Sequence, residues 1–162
     1  TQAREDLPYY QHEEVGYNYR MSNVSAGIGR GQLIGLPSFI EKRRYNHRFY
    51  TRLLGNVPGI SIHHNPSADY DSNYWLTCIL IDEKLYGMGS EQLRMIFENE
   101  NIEVRPIWKP MHLQPVYTLM PFYGNGTSER LFKNGLCLPS GCGLTDDDLQ
   151  RVADVILSHA KQ

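Results

Sequence analysis

The sequence predicts an α+β domain, and three observations carry that prediction. Between Ser22 and Leu54 the apolar spacing is helical and unusually rich in small residues. From Asn73 to Asp82 the chain is apolar on both alternating faces, as a strand covered on two sides requires. Near the end, Thr145 and Asp148 form a capping-box-like start, and Leu149, Val152, Ala153 and Ile156 follow at i, i+3, i+4 and i+7.

Residues 1–21 are rich in Pro, Tyr, Glu and His without periodicity and read as an extended arm, with the domain proper over 22–162. Ser22 is placed to cap a helix carrying Val24, Ile28, Leu33 and Ile34. Gly27, Gly31 and Gly35 recur within it beside Ala26 and Gly29. Each glycine costs a helix about 1 kcal/mol against alanine, so this pattern predicts a close backbone approach to another element. Pro37 predicts a break or kink, with a second helix from Ser38 to Leu54 stopped at Gly55.

Beyond it Ile60 to Ile62 alternates as a strand, residues 65–72 read as a turn-rich loop, and the two-faced run of 73–82 follows. Ser90 reads as the cap of a helix with Leu93, Ile96 and Phe97 on one stripe. Ile102 to Trp108 reads as a third strand, stopped by Pro106 and Pro110. A short helix is expected from Ser128 to Asn134, then Leu136-Cys137-Leu138-Pro139. So small a sheet is expected to be covered by helices on one face and to meet a neighbour on the other.

The 162 residues suffice for one compact domain, and 41% hydrophobic with 21% charged residues is an ordinary globular balance. A net charge of -2 gives no electrostatic case for nucleic acid or an anionic membrane. Lys42, Arg43, Arg44, His47 and Arg48 cluster, but within a helical pattern that reads as a solvated face. No apolar stretch reaches membrane-spanning length; the best, Trp75 to Ile81, contains Thr77 and suits a buried strand. Three cysteines without CxxC spacing, and no secretory start, are consistent with free thiols in a reducing cytoplasm. The chain opens on Thr1-Gln2-Ala3-Arg4 and reads as a segment of something larger.

Several motifs invite chemistry and do not sustain it. Gly27-Ile28-Gly29-Arg30-Gly31 lacks the third glycine of a dinucleotide fingerprint, because Gln32 stands there, and follows no strand. His63 and His64 point to opposite faces of a strand end and have no zinc-like spacing, so no metal site is expected. Cys137 and Cys142 have no basic neighbour in sequence to stabilise a thiolate and read as structural.

Two segments remain. Arg105-Pro106-Ile107-Trp108-Lys109-Pro110-Met111-His112-Leu113-Gln114-Pro115 sets cationic and amide groups on a loop stiffened by three prolines. Such a loop loses little entropy on ordering around an anionic, hydroxyl-rich ligand, though a plain proline-rich surface loop accounts for it equally well. Gly16-Tyr17-Asn18-Tyr19-Arg20-Met21 places aromatic, amide and guanidinium groups just ahead of a helix N-terminus, a setting favourable to phosphate; a capped arm packing its tyrosines is the plainer alternative.

With these residues in view, the chain resembles the DegT/DnrJ/EryC1/StrS aminotransferases. The likeness lies in Gly16 to Val24 with Ala26 to Leu33, the opening Thr1 to Arg4, the Arg105-to-Pro115 loop, and Cys137-Leu-Pro-Ser-Gly141 before the last helix. The wording of Trp108 to Pro115 is most similar to members that aminate UDP-linked 4-keto-6-deoxy sugars, as in the bacillosamine pathway. The resemblance implies the small C-terminal α+β domain of a fold-type I enzyme that uses pyridoxal 5'-phosphate (PLP) and works as a cytoplasmic homodimer. It implies amino transfer from glutamate to the nucleotide sugar. Asn18 is then the amide that reaches the PLP phosphate of the partner subunit, and Lys109 and His112 face the sugar nucleotide. Tyr17, Arg20 and Arg105 match substrate-side positions of the motifs.

The family's Schiff-base lysine belongs to a large N-terminal domain upstream of Thr1. None of Lys42, Lys84, Lys109, Lys133 and Lys161 sits in that lysine's motif. No catalytic residue is therefore expected in this chain, which alone should be inactive. The reading from another class is a non-catalytic dimerisation or ligand-binding domain.

Overall fold

The computed structural model describes residues 8, 9, 11, 14–18 and 20–161. The opening motif Thr1 to Arg4, and Tyr19 of the second motif, lie outside the described residues. Along the chain run α1 (Asn23–Leu54), β1 (Ile60–Ile62), β2 (Thr77–Ile81), α2 (Glu83–Tyr86) and α3 (Ser90–Asn99). Next come β3 (Arg105–Pro106), 3-10 turns at Met111–Leu113 and Pro115–Tyr117, α4 (Thr127–Asn134), β4 (Gly135–Leu138) and α5 (Asp146–Ser158). The four strands form one antiparallel sheet in the order β1-β2-β4-β3, so the expected α+β class holds.

One face of the sheet makes the core. Thr77, Ile79 and Ile81 of β2 and Leu136 and Leu138 of β4 are buried, and the C-terminal half of α1 packs with α5 across them. Tyr50, Leu54, Leu149 and Ile156 are fully enclosed. Each such aliphatic or aromatic side chain contributes about 1.5–3 kcal/mol on leaving water. Two buried hydroxyls find partners: that of Tyr50 donates to the Pro139 carbonyl at 2.9 Å, and that of Tyr86 to the Ile156 carbonyl at 2.7 Å.

The capping signals act as read. Ser22 Oγ accepts from the Ser25 N–H at 3.2 Å. Thr145 Oγ1 accepts from the Asp148 N–H while Asp148 Oδ2 accepts from the Thr145 N–H, which starts α5. For α3 the cap is Gly89 in place of Ser90, with Gln92 reaching back to the Gly89 N–H.

Five further differences from the sequence reading follow. Pro37 does not divide α1, which runs unbroken through it. A helical proline forfeits one hydrogen bond at a cost of about 3 kcal/mol. Here the next residue, Ser38, donates to the Gly35 carbonyl at 2.8 Å across that turn, and the helix is anchored further on by Asn46, His47, Phe49, Tyr50 and Leu54. The close approach predicted for the glycines is not made within the chain: a Cβ added at Gly27, Gly29 or Gly31 would meet nothing within 4 Å. Val24, Ile28, Leu33 and Ile34 around them are exposed.

The third strand shrinks to Arg105–Pro106, since a proline cannot donate to a ladder. The segment at 136–138 becomes β4, which lies between β2 and β3. Finally, the basic cluster of α1 is no simple solvated face. His47 is buried, Arg43 donates to the carbonyls of Trp75 and Ser140, and Arg44 donates to the Ser72 carbonyl and pairs with Asp71 at 2.6 Å. These bonds pin the loop before β2 to the helix.

Candidate functional site

The segment leaving β3 is built as a rigid bracket. Pro106, Pro110 and Pro115 each fix a backbone torsion, and the 3-10 turn at Met111–Leu113 closes with the Gln114 N–H on the Met111 carbonyl at 3.0 Å. Gln114 is buried, and its amide donates to the Lys109 carbonyl at 3.2 Å, holding the bracket from inside.

Three predicted residues sit on this bracket. Lys109 Nζ donates to Gln11 Oε1 at 2.5 Å and lies 5.3 Å from the centre of the Tyr9 ring. Arg105 pairs with Glu103 at 2.5 Å and reaches the Pro8 carbonyl at 3.4 Å. Together they tie the described part of the arm to the bracket. His112 is fixed twice: Nε2 is 2.6 Å from Glu129 Oε1, and its ring stacks on Phe122 with centres 3.5 Å apart. The Glu129 carboxyl lies below its ordinary pKa, held there by a backbone N–H and by His112. Beside His112 a hollow of about 310 Å3 is walled by Met111, Tyr117, Met120, Pro121 and Phe122. Across the bracket's other side Trp108 leans on Trp75, ring centres 5.8 Å apart.

The second group of predicted residues stands at the start of α1. Asn18 Oδ1 accepts the Arg20 N–H at 3.0 Å, an arrangement that puts Arg20 in the left-handed region at φ 76°. Among the described residues this is the one hydrogen bond of the Asn18 side chain. Tyr17 and Arg20 are exposed beside it.

The structure thus joins Arg105, Lys109 and His112 in one place and Tyr17, Asn18 and Arg20 in another. From Asn23 to Asn46, its first buried residue, α1 extends about 35 Å, so the Asn18 group is carried on a projecting rod. Sequence reasoning missed Gln11, Glu129, Phe122 and Trp75, the residues that orient the bracket. Their separations in sequence, 98 residues for Lys109 to Gln11 and 17 for His112 to Glu129, match no local motif that could have announced them.

His63 and His64 follow β1 directly. The His63 N–H extends the sheet to the Cys78 carbonyl, while His64 Nδ1 meets His47 Nε2 at 3.1 Å. Among the described residues no three His, Cys, Asp or Glu side chains are grouped to hold a metal ion. Nor is any described helix long and apolar enough to cross a membrane.

Comparison with known proteins gives this geometry its context. Residues 2–157 match the model of the DegT/DnrJ/EryC1/StrS aminotransferase family. The chain belongs to that family. It is 41% identical to EpsN of Bacillus subtilis (strain 168), named as a candidate pyridoxal phosphate-dependent aminotransferase, over 97% of this chain and 40% of EpsN. It is 33% identical to the GDP-perosamine synthase of Vibrio cholerae, over 93% of this chain and 40% of the synthase. The crystal structure of DesI with its TDP-sugar product superimposes with a TM-score of 0.76 at 28% identity, covering 86% of this chain and 36% of DesI. The chain spans about 40% of the length of the curated relatives it matches. The fold is that of fold-type I aminotransferases.

Proposed function

We propose that this chain forms the cofactor-phosphate clamp and nucleotide-sugar wall of a PLP-dependent sugar-nucleotide aminotransferase. The parent enzyme takes an amino group from glutamate and delivers it to a UDP-linked 4-keto-6-deoxy sugar. The observation that carries the reading is the preset Asn18 amide: its oxygen accepts the Arg20 N–H, which orients the side chain and leaves its NH2 group available to donate. A donor at the start of a helix, where the dipole favours negative charge, suits a phosphate. PLP, when bound in the parent, supplies the electron sink that amino transfer needs. Asn18 would fix the phosphate end of that cofactor, with Tyr17 and Arg20 bordering the substrate.

Lys109 and His112 would meet the nucleotide sugar from the bracket, Lys109 as a cation for the diphosphate and His112 as a hydrogen-bonding group whose ring position Glu129 and Phe122 already hold. Arg105 would keep the arm and bracket together. The parent is read as a cytoplasmic homodimer in which Asn18 acts on the cofactor of the partner subunit, a reading that the family membership supports. The exposed apolar stretch of α1 then faces the partner or the large domain.

The test uses the full-length parent. Asn18→Ala should weaken PLP retention by about 1.5–3 kcal/mol, the worth of a hydrogen bond to a charged group, and leave sugar binding intact. Lys109→Ala and His112→Ala should retain PLP and raise KM for the nucleotide sugar more than they lower kcat. Mixing Asn18→Ala subunits with subunits lacking the cofactor-holding lysine should restore activity, because each hybrid dimer gains one site with neither defect. Hybrids that form and stay inactive would refute action in trans. The chain alone, treated with PLP and borohydride, should show no single stoichiometrically labelled lysine.

A further inference from the structure

Cys78 and Cys137 lie directly opposite each other on β2 and β4, and their sulfurs are 3.7 Å apart. The hydrogen-bond pattern defines the kind of pair they make. The Cys78 carbonyl faces β1, where it accepts the His63 N–H, and the Gly135 carbonyl faces β3, where it accepts the Ile107 N–H. Residues two apart on a strand point their backbone groups the same way, so Cys137, like Gly135, turns its own toward β3. Cys78 and Cys137 are therefore a non-hydrogen-bonded antiparallel pair, the kind with the closest side chains and an α-carbon spacing of about 4.5 Å. That spacing falls within the range of about 4.4–6.8 Å that a disulfide spans. Both thiols are free.

The two sulfurs differ in access. Cys137 is buried, whereas Cys78 is half-buried and opens on a hollow of about 460 Å3 bordered by Trp75, Trp108 and Tyr70. Their mutual hydrogen bond separates them further: it draws the Cys78 pKa down and pushes that of Cys137 up, with burial adding to the rise of Cys137. The thiolate is the reactive form, so Cys78 is the attacking sulfur and Cys137 the resolving one.

We propose that Cys78 and Cys137 are an oxidisable dithiol site that exchanges with small disulfides, of the glutathione-disulfide type, to close a bond between β2 and β4. In the first step the Cys78 thiolate attacks one sulfur of the small disulfide, forming a mixed disulfide and releasing one thiolate. In the second, Cys137 loses its proton and its sulfur attacks Cys78 Sγ, expelling the other thiolate. The two protons lost by the cysteines appear on the two released thiols. The pair is oxidised by two electrons and the small disulfide is reduced by two.

The test is made on the purified, fully reduced protein without added PLP, so it does not depend on the aminotransferase reading. After native incubation with glutathione disulfide, the remaining thiols are alkylated and the peptides mapped. The expected result is a Cys78–Cys137 cross-link, reversed by dithiothreitol, with Cys142, whose thiol sits apart against the Phe39 carbonyl, still alkylated or glutathionylated. Cys137→Ser should stop the reaction at a glutathione adduct on Cys78, and Cys142→Ser should leave the cross-link unchanged. Alkylation of both Cys78 and Cys137 at the level of untreated protein would overturn the proposal. So would a cross-link that forms only in urea, or wild-type protein that stops at the Cys78 adduct.

Discussion

The buried His47 makes a quantitative prediction about acid stability. Its side chain lies within the fold, stacked on the Tyr74 ring with centres 3.7 Å apart and in contact with His64. Burial first, then the neighbouring His64, His63 and Arg48, lowers its pKa from 6.5 to about 4. Between those values the unfolded chain binds more protons at this residue than the folded one, so stability rises with pH across the window. The contribution is absent above pH 6.5 and grows as an acid penalty toward pH 4. At 1.36 kcal/mol per pH unit the full penalty is at most about 3 kcal/mol. His47→Gln keeps an amide able to meet His64 and removes the titration. Urea unfolding from pH 4 to 7.5, followed by fluorescence of Trp75 and Trp108, should show wild type losing up to about 3 kcal/mol relative to the variant on acidification. Parallel stability curves for the two proteins would refute the linkage.

Further predictions rest on single contacts. Gly59→Ala should lower stability by at least about 2 kcal/mol in thermal melts, because Gly59 sits at φ +79° and an added Cβ would lie 2.4 Å from the Tyr86 nitrogen. Tyr50→Phe should cost about 1–3 kcal/mol in urea unfolding, since the Pro139 carbonyl loses its buried donor. Gly31→Ala should raise the melting temperature of the isolated chain, with a gain of about 1 kcal/mol, as nothing stands within 4 Å of the new methyl group. No gain would show that this helical stretch is not formed in solution.

The elements that were legible in the sequence are those whose cause is local. Ser22 and Thr145 cap with atoms three residues away, and the stripe of Leu149, Val152, Ala153 and Ile156 lies on one helix face. Pro37 misled because propensity describes an isolated turn, whereas tertiary anchoring at Asn46 to Leu54 fixes the helix it sits in. β4 escaped notice because four residues carry no readable period; it is recognisable as a strand only once β2 and β3 flank it. The same division runs through the candidate site. The cationic and amide residues of the bracket were visible as types, but Gln11, Glu129 and Phe122, which aim them, come from distant stretches of chain.

The position of β4 also bears on how the chain comes to fold. β2 and β3 do not pair with each other; both bond to β4, and Cys78 waits 59 residues for its cross-strand neighbour. Loop closure over that distance must precede any reward from the ladder, which slows folding relative to a sheet of consecutive hairpins. A polypeptide emerging from the ribosome can form α1 and the β1–β2 hairpin early, but it holds β3 without a partner until Gly135 to Leu138 have cleared the exit. During that interval the inner edge of β2 is unpaired, so premature termination before residue 135 should yield aggregation-prone chains, whereas an end placed after α5 should not.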